Sequence, residues 1–176
     1  CVFLQPKGNG LKVSELFAQL PARFNQAGLL KKFPRETGQK IIGRFSPPKD
    51  SRIVRVDFEA AGVRVTDDTG VIRLLDAQGP LASSMLQIKA KLEGYFTPEF
   101  GFGTIVGINY LDGVKITFAN GDISHLRPSG NADEFRNYSL ANSQERADEI
   151  VRLGIKEPDG IIRQIEKDLQ KEAATS

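Results

Sequence analysis

Ile105-Val106-Gly107-Ile108-Asn109-Tyr110-Leu111-Asp112-Gly113-Val114-Lys115-Ile116-Thr117-Phe118-Ala119-Asn120-Gly121-Asp122-Ile123-Ser124-His125-Leu126-Arg127 alternates apolar and polar side chains around two tight-turn dipeptides. Alternation of period two belongs to a half-buried strand, and Asp112-Gly113 and Asn120-Gly121 supply the left-handed backbone that short hairpins require. The pattern predicts an antiparallel meander. Its first strand carries Ile105, Val106, Ile108 and Tyr110, its second Val114, Ile116 and Phe118. Its third puts Ile123, His125 and Arg127 on one face and Ser124 and Leu126 on the other. A fourth strand, Phe135 to Ala141, returns with Arg136, Tyr138 and Leu140 on one side and Phe135, Asn137 and Ser139 on the other.

Between the last two strands lies Pro128-Ser129-Gly130-Asn131. Arg127 offers a planar fork of donors suited to two phosphate oxygens, and Ser129 adds a hydroxyl. Pro128 stiffens the loop, and Gly130 allows close backbone approach. The amides around Ser129, Gly130 and Asn131 can then point at one oxyanion as a nest, with Arg136 returning as a second cation. A plainer reading is a polar turn, since Pro, Ser, Gly and Asn are ordinary turn residues. Likewise Arg136 can pair with Glu134, and His125, the single histidine, fits a hydrogen-bonded supporting position better than a general base. Lys115 and Thr117 share a strand face and read as solvated. Arg44, Arg52 and Arg55 have no motif behind them.

Working outward, Leu11, Val13, Leu16, Phe17 and Leu20 fall at helical spacing with Ser14 near the start and Pro21 at the end. Arg23 to Lys32 reads as a strand. Pro34 opens a helix through about Phe45, and Pro47-Pro48 stops it. Ile53, Val54, Val56, Phe58, Val63 and Val65, with the Asp67-Asp68-Thr69-Gly70 turn before Val71 to Leu74, predict an inserted β-hairpin or small sheet over about 47–83. The paired aspartates read as turn chemistry, not a metal centre. Ser83 or Ser84 begins the next helix, with Leu86, Ile88, Leu92 and Phe96 toward a core and Pro98 and Gly101 ending it. Asn142 with Glu145 resembles a capping box for a helix whose apolar face is Ala147, Ile150, Val151 and Ile155. Asp159 caps a last helix with Ile162, Ile165 and Leu169, open to docking on the domain or on a partner, and Lys171 to Ser176 is expected to fray. Together these elements predict an α+β fold, an antiparallel sheet of about four strands with helices on one face plus the inserted hairpin region.

The chain has 176 residues, 40% of them hydrophobic, enough for one domain with a piece of a neighbour. A formal charge of +2 from 24 basic and 22 acidic residues exerts no general pull on nucleic acid or membrane, so anion binding must be local. One cysteine excludes an internal disulfide and a multi-cysteine zinc cage, which fits a cytoplasmic location. No apolar run approaches membrane-spanning length. The chain starts at Cys1 without a signal pattern, which gives the expectation of a piece cut from a longer protein.

Arg127 to Asn131, with an arginine nine places after the first, resembles the C-terminal phosphate-binding loop of the alpha-D-phosphohexomutases. The resemblance extends to Leu11 to Leu16, Leu20 to Phe24, Asn109 to Gly121 and the segment after Asn142. It departs at Ala132-Asp133-Glu134, where many members have Glu-Pro-Lys. It implies a C-terminal, fourth domain at 21–157, a third-domain remnant and hinge at 1–20, and a C-terminal helix and tail at 158–176. It also implies a TATA-box-binding-protein-like fold. The loop would hold the substrate phosphate through Arg127, Ser129, Gly130, Asn131 and Arg136, with His125 and Pro128 in support. The ligand would be a hexose phosphate of mannose or glucose, interconverted between its 1- and 6-phosphates. The family's phosphoserine, magnesium and sugar-recognition loops have no counterpart in this sequence. The chain is therefore expected to carry no catalytic residue and no metal site, to be inactive alone, and to work with preceding domains that bind Mg2+. A non-catalytic module binding a phosphometabolite or a protein is the alternative.

Overall fold

Alternation along the chain becomes alternation across a sheet. In the computed structural model, which describes residues 22–175, β8 (Glu134–Ala141) buries every second residue, and β7 (Ile123–Pro128) and β6 (Val114–Phe118) follow the same rule. Val114, Ile116, Phe118, Leu126 and Phe135 face inward and are buried, whereas Lys115, His125, Arg127, Arg136 and Tyr138 face out. The remaining strands are β1 (Phe24–Lys31), β2 (Ile53–Glu59), β3 (Gly62–Asp67), β4 (Ile72–Leu74) and β5 (Ile105–Asn109). All pair antiparallel in one sheet of order β1-β8-β7-β6-β5-β2-β3-β4.

The sheet thus has eight strands, not about four. The region over 47–83 is no separate appendage: β2 pairs with β5 through Arg55 with Asn109, Val56 with Ile108 and Asp57 with Gly107, so its hairpin lengthens the sheet edge. Each strand there signals its own period, but the pairing of β2 with a strand fifty residues later leaves no local mark. Asp67 acts as turn chemistry, as expected. Its Oδ1 accepts from the Thr69 and Val71 amides and the Thr69 hydroxyl, and the Thr69 bond holds its carboxyl below the ordinary value.

Among the described residues four helices cover the inner face: α1 (Arg35–Arg44), α2 (Pro80–Glu93), α3 (Gln144–Ile155) and α4 (Ile161–Thr175). α3 lies over β1 and β8, α1 over β7 and β8, and α4 packs on both helices. Ile161, Ile162 and Ile165 are buried and Leu169 packs on the same core, so the last apolar stripe docks inside the domain. The tail expected to fray is helical through Thr175, with Arg44 paired to Glu172.

Three helix starts differ from expectation. α2 begins at Pro80, three residues before Ser83, because proline is preorganised for the first helical position and loses no bond there. Leu86 is 46% exposed, and Ala82, Met85, Ile88 and Leu92 form the buried stripe. Ser143, not Asn142, caps α3 by accepting from the Arg146 amide, while Asn142 accepts from Arg23. Asp159 pairs with Lys167 at 2.8 Å, and the Gly160 carbonyl instead accepts the Gln164 amide where α4 begins. The expected helix before Pro21 and the 1–20 boundary lie outside the described residues.

Buried polar groups tie the sheet to α3. Ser139 donates to the Ala147 carbonyl at 2.8 Å, and Asn137 donates to the Ile150 carbonyl at 3.3 Å while accepting from Ser124 at 2.9 Å. Each partner is satisfied, so the ladder fixes the strand register instead of weakening the core. Gly154 makes this approach possible, since a β-carbon there would lie 2.1 Å from Asn137 Nδ2.

Candidate functional site

Among the described residues no helix covers the outer face of the sheet, and the register of β7 and β8 sets Arg127 directly opposite Arg136 on it. His125 stands opposite Tyr138 in the neighbouring row, with ring centroids 5.8 Å apart, and Lys115 stands opposite His125. Two like charges facing each other across an antiparallel pair are unfavourable unless something negative lies near them. Here each arginine has one carboxylate. Arg127 Nε lies 3.0 Å from Asp112 Oδ1, and Arg136 Nη2 lies 3.3 Å from Glu134 Oε2.

Both pairs are on the surface. The Arg127 and Asp112 side chains are 43% and 59% exposed, and no hydrogen bond engages the Arg127 Nη atoms among the described residues. Arg136 also donates toward the Tyr138 hydroxyl at 3.5 Å, and that contact, then Glu134, holds its guanidinium above its ordinary pKa. Its Nε is buried without a partner. The pairing of Arg136 with Glu134 foreseen as the plainer reading is therefore present, with Nη2 on that carboxylate and Nη1 on the Tyr138 hydroxyl.

The loop is tighter than the sequence suggested. Pro128 ends β7 opposite Phe135 and packs inward beside Gly38 of α1. Ser129 is buried, and its amide donates to the Glu134 carbonyl at 2.9 Å, extending the strand ladder by one rung. That amide is therefore not part of a nest, which corrects the expectation, and the Ser129 hydroxyl is turned to Asn131 Oδ1 at 3.2 Å. The amides of Gly130 and Asn131 make no hydrogen bond among the described residues and remain at the exposed tip. Gly130 has no positive φ, and a β-carbon there would meet nothing within 4 Å, so its backbone is open to solvent on the side that the side chain would occupy.

Two supports were not foreseen. Asp133, at the point of departure from the phosphohexomutase pattern, accepts from the Arg35 amide through Oδ1 at 3.2 Å and from the Phe33 amide through its carbonyl at 2.9 Å. It thereby fastens the loop exit to the first turn of α1, where a carboxylate is favourable. Asp112, read only as a turn residue, holds two site residues at once, since its carbonyl meets His125 Nε2 and its carboxylate meets Arg127. Gly113 presses this turn onto β7: its φ is +94°, and a β-carbon would come within 2.3 Å of the Leu126 carbonyl oxygen. Counting back along both strands from the Asn120-Gly121 turn would have put Asp112 beside Arg127. His125 accordingly supports the Asp112 turn, not the loop tip.

Beside these residues the outer face has a depression of about 290 Å3 lined in part by Arg55, Asp57, Asn109, Lys115 and Thr117. Arg55 is committed to Asp57 through three hydrogen bonds. With Asp57, Asp112 and Glu134 among the basic groups, the face carries no uninterrupted positive field of the kind that tracks a nucleic-acid backbone. Among the described residues no three His, Cys, Asp or Glu side chains converge as a metal site, and no helix is long and apolar enough to cross a membrane.

No family model matches the chain. Part of it is 40% identical over 81 residues to a phosphomannomutase of Salmonella muenchen, covering 45% of this chain and 17% of that protein. A phosphomannomutase of Sinorhizobium fredii (strain NBRC 101917 / NGR234) is 32% identical over 80 residues, covering 46% of this chain and 16% of that one. The match thus spans about a sixth of the length of these curated relatives.

Proposed function

From the family relationship that part of this chain bears to the phosphohexomutases, we propose that it is the substrate-phosphate-binding C-terminal domain of a phosphomannomutase or phosphoglucomutase. Residues 21–157 form the fourth domain, with the segment over 47–83 inserted in it and a TATA-box-binding-protein-like fold. Residues 1–20 close the third domain, and 158–176 add the last helix. The observation that carries this reading is the opposed pair Arg127 and Arg136 on the outer sheet face, next to a loop tip with two amides that make no hydrogen bond among the described residues.

In this reading the longer protein interconverts hexose 1- and 6-phosphates in the cytoplasm. The domain grips whichever phosphate is not reacting, while the reacting end is presented to a phosphoserine in a preceding domain. Arg127 and Arg136 each offer Nη donors to a dianion, and the amides of Gly130 and Asn131 complete the cradle beside the Ser129 hydroxyl. Binding energy drawn from this remote phosphate holds the reacting end in place, which is where such contacts raise the rate. Magnesium, which the family uses to neutralise the transferring group, is held by those other domains.

Titration of the 176-residue chain with inorganic phosphate and with mannose or glucose 6-phosphate, followed by amide NMR, tests the reading. Shifts centred on 127–136 are expected, weakened about tenfold to a hundredfold by Arg127→Ala, the range of a lost charge-assisted hydrogen bond. A parent spectrum unmoved by millimolar ligand rejects the phosphate site. Shifts in the parent that survive Arg127→Ala reject its role in the clamp. Mutase turnover by this chain alone would refute the placing of the catalytic loops elsewhere, and phosphate binding without any effect of Arg127→Ala on the activity of the longer enzyme would favour a non-catalytic module.

A further inference from the structure

The two arginines are not bare cations waiting for a ligand. Each already faces a carboxylate fixed in the same β-meander, Asp112 at 3.0 Å from Arg127 Nε and Glu134 at 3.3 Å from Arg136 Nη2, so two positive charges stand against two negative ones. A clamp built only for tight binding would not carry these carboxylates, because each one repels the phosphate and competes for the donors it needs. They are also placed to move little. Asp112 sits on a turn pinned by Gly113 against Leu126, and Glu134 is the first residue of β8, paired with Lys31 of β1.

Resting on the phosphate-clamp reading above, we infer that Asp112 and Glu134 are exchange residues, internal anions that hand the arginines to the phosphate on binding and take them back on release. They set how tightly the phosphate is held and how quickly it leaves. A substrate that must be gripped first by one phosphate and then by the other requires a clamp that lets go. An anion of higher charge displaces a carboxylate more readily than one of equal charge, so the same arrangement favours a phosphate dianion over a carboxylate monoanion. Both pairs are exposed enough for the exchange: the Glu134 and Arg136 side chains are 26% and 38% accessible, and the Arg127 pair more so. Exposed pairs of this kind are weak, which makes them displaceable.

The experiment measures phosphate and acetate affinity by NMR titration of the full 176-residue chain at pH 8, where phosphate is largely dianionic, for the parent, Asp112→Asn and Glu134→Gln. Both substitutions keep side-chain size and leave Gly113 and the β8 pairing intact, and thermal unfolding of each variant confirms the fold. If the carboxylates compete, each variant binds phosphate about threefold to tenfold tighter than the parent, and the preference for phosphate over acetate narrows. Exchange broadening at Arg127 and Arg136 should shift toward slower release. Equal or weaker phosphate binding in both variants, with the parent binding normally, overturns the exchange role and leaves the clamp standing. Failure of the parent itself to bind phosphate removes the clamp, and this inference with it.

Discussion

Replacing Gly113 with alanine places one methyl group where the molecule has no room for it. The backbone there has φ +94°, and the new β-carbon would lie 2.3 Å from the Leu126 carbonyl oxygen and 3.3 Å from the Arg127 α-carbon. An L-residue in such a conformation costs about 1–3 kcal/mol. The contact is about 1 Å too short, and relieving it by moving packed backbone costs roughly another 1–3 kcal/mol. Together these remove about 2–6 kcal/mol from a domain whose whole stability is on the order of 5–15 kcal/mol. The displaced atoms belong to the peptide that carries Arg127, so its guanidinium leaves the position opposite Arg136. Phosphate affinity should therefore fall about tenfold under conditions where the variant is still folded, a 1.4 kcal/mol change. Urea unfolding followed by circular dichroism gives the first number and phosphate titration the second. A Gly113→Ala protein within 0.5 kcal/mol of the parent would refute the steric argument. One that is destabilised yet binds phosphate unchanged would show that the turn does not position Arg127.

Gly130→Ala is the counterpart: with open space around the added carbon and no positive φ, unfolding should shift by less than about 0.5 kcal/mol in the same urea assay. Gly154→Ala should destabilise by about 1–4 kcal/mol although alanine is the better helix former by about 1 kcal/mol, because the new carbon displaces the buried Asn137 amide from Ile150 and Ser124; a more stable variant in thermal melts would contradict the packing of α3 on β8. Acid should loosen α4 first. Asp168 is held below its ordinary pKa by the Tyr95 hydroxyl, Glu172 by Arg44 and Glu157 by Arg163, so each contributes stability above the unfolded values of 3.8 for Asp and 4.5 for Glu and loses it as pH falls through the lowered folded values. Hydrogen exchange of the α4 amides, corrected for intrinsic rates, should show protection that is constant from pH 7 to about 5 and falling below 4. Unchanged protection at pH 3 would assign the docking to Ile161, Ile162 and Ile165 alone.

The meander from β5 to β8 was legible because a period of two is a property of the local chain, and its turns are marked by Asp112-Gly113 and Asn120-Gly121. The sequence marked Arg136 as a second cation on the next strand, and the β7–β8 register set it opposite Arg127. The helix starts at Pro80 and Ser143 were missed by one to a few residues, since several capping candidates stand side by side and only the backbone path selects among them.

By itself the sequence determined which segments alternate, which face each side chain takes along its own strand, and that the arginines and the loop lie at a strand end. The tertiary structure alone decided that β2, β3 and β4 extend the same sheet, that the Ser129 amide is spent on Glu134, and that Asp112 and Asp133 support the site. The difference is one of range. Strand period and turn chemistry are settled within a few residues, whereas the pairing of β2 with β5 and the bond from Asp133 to Arg35 join positions far apart in the chain. Such contacts form only when the whole apolar face is buried at once.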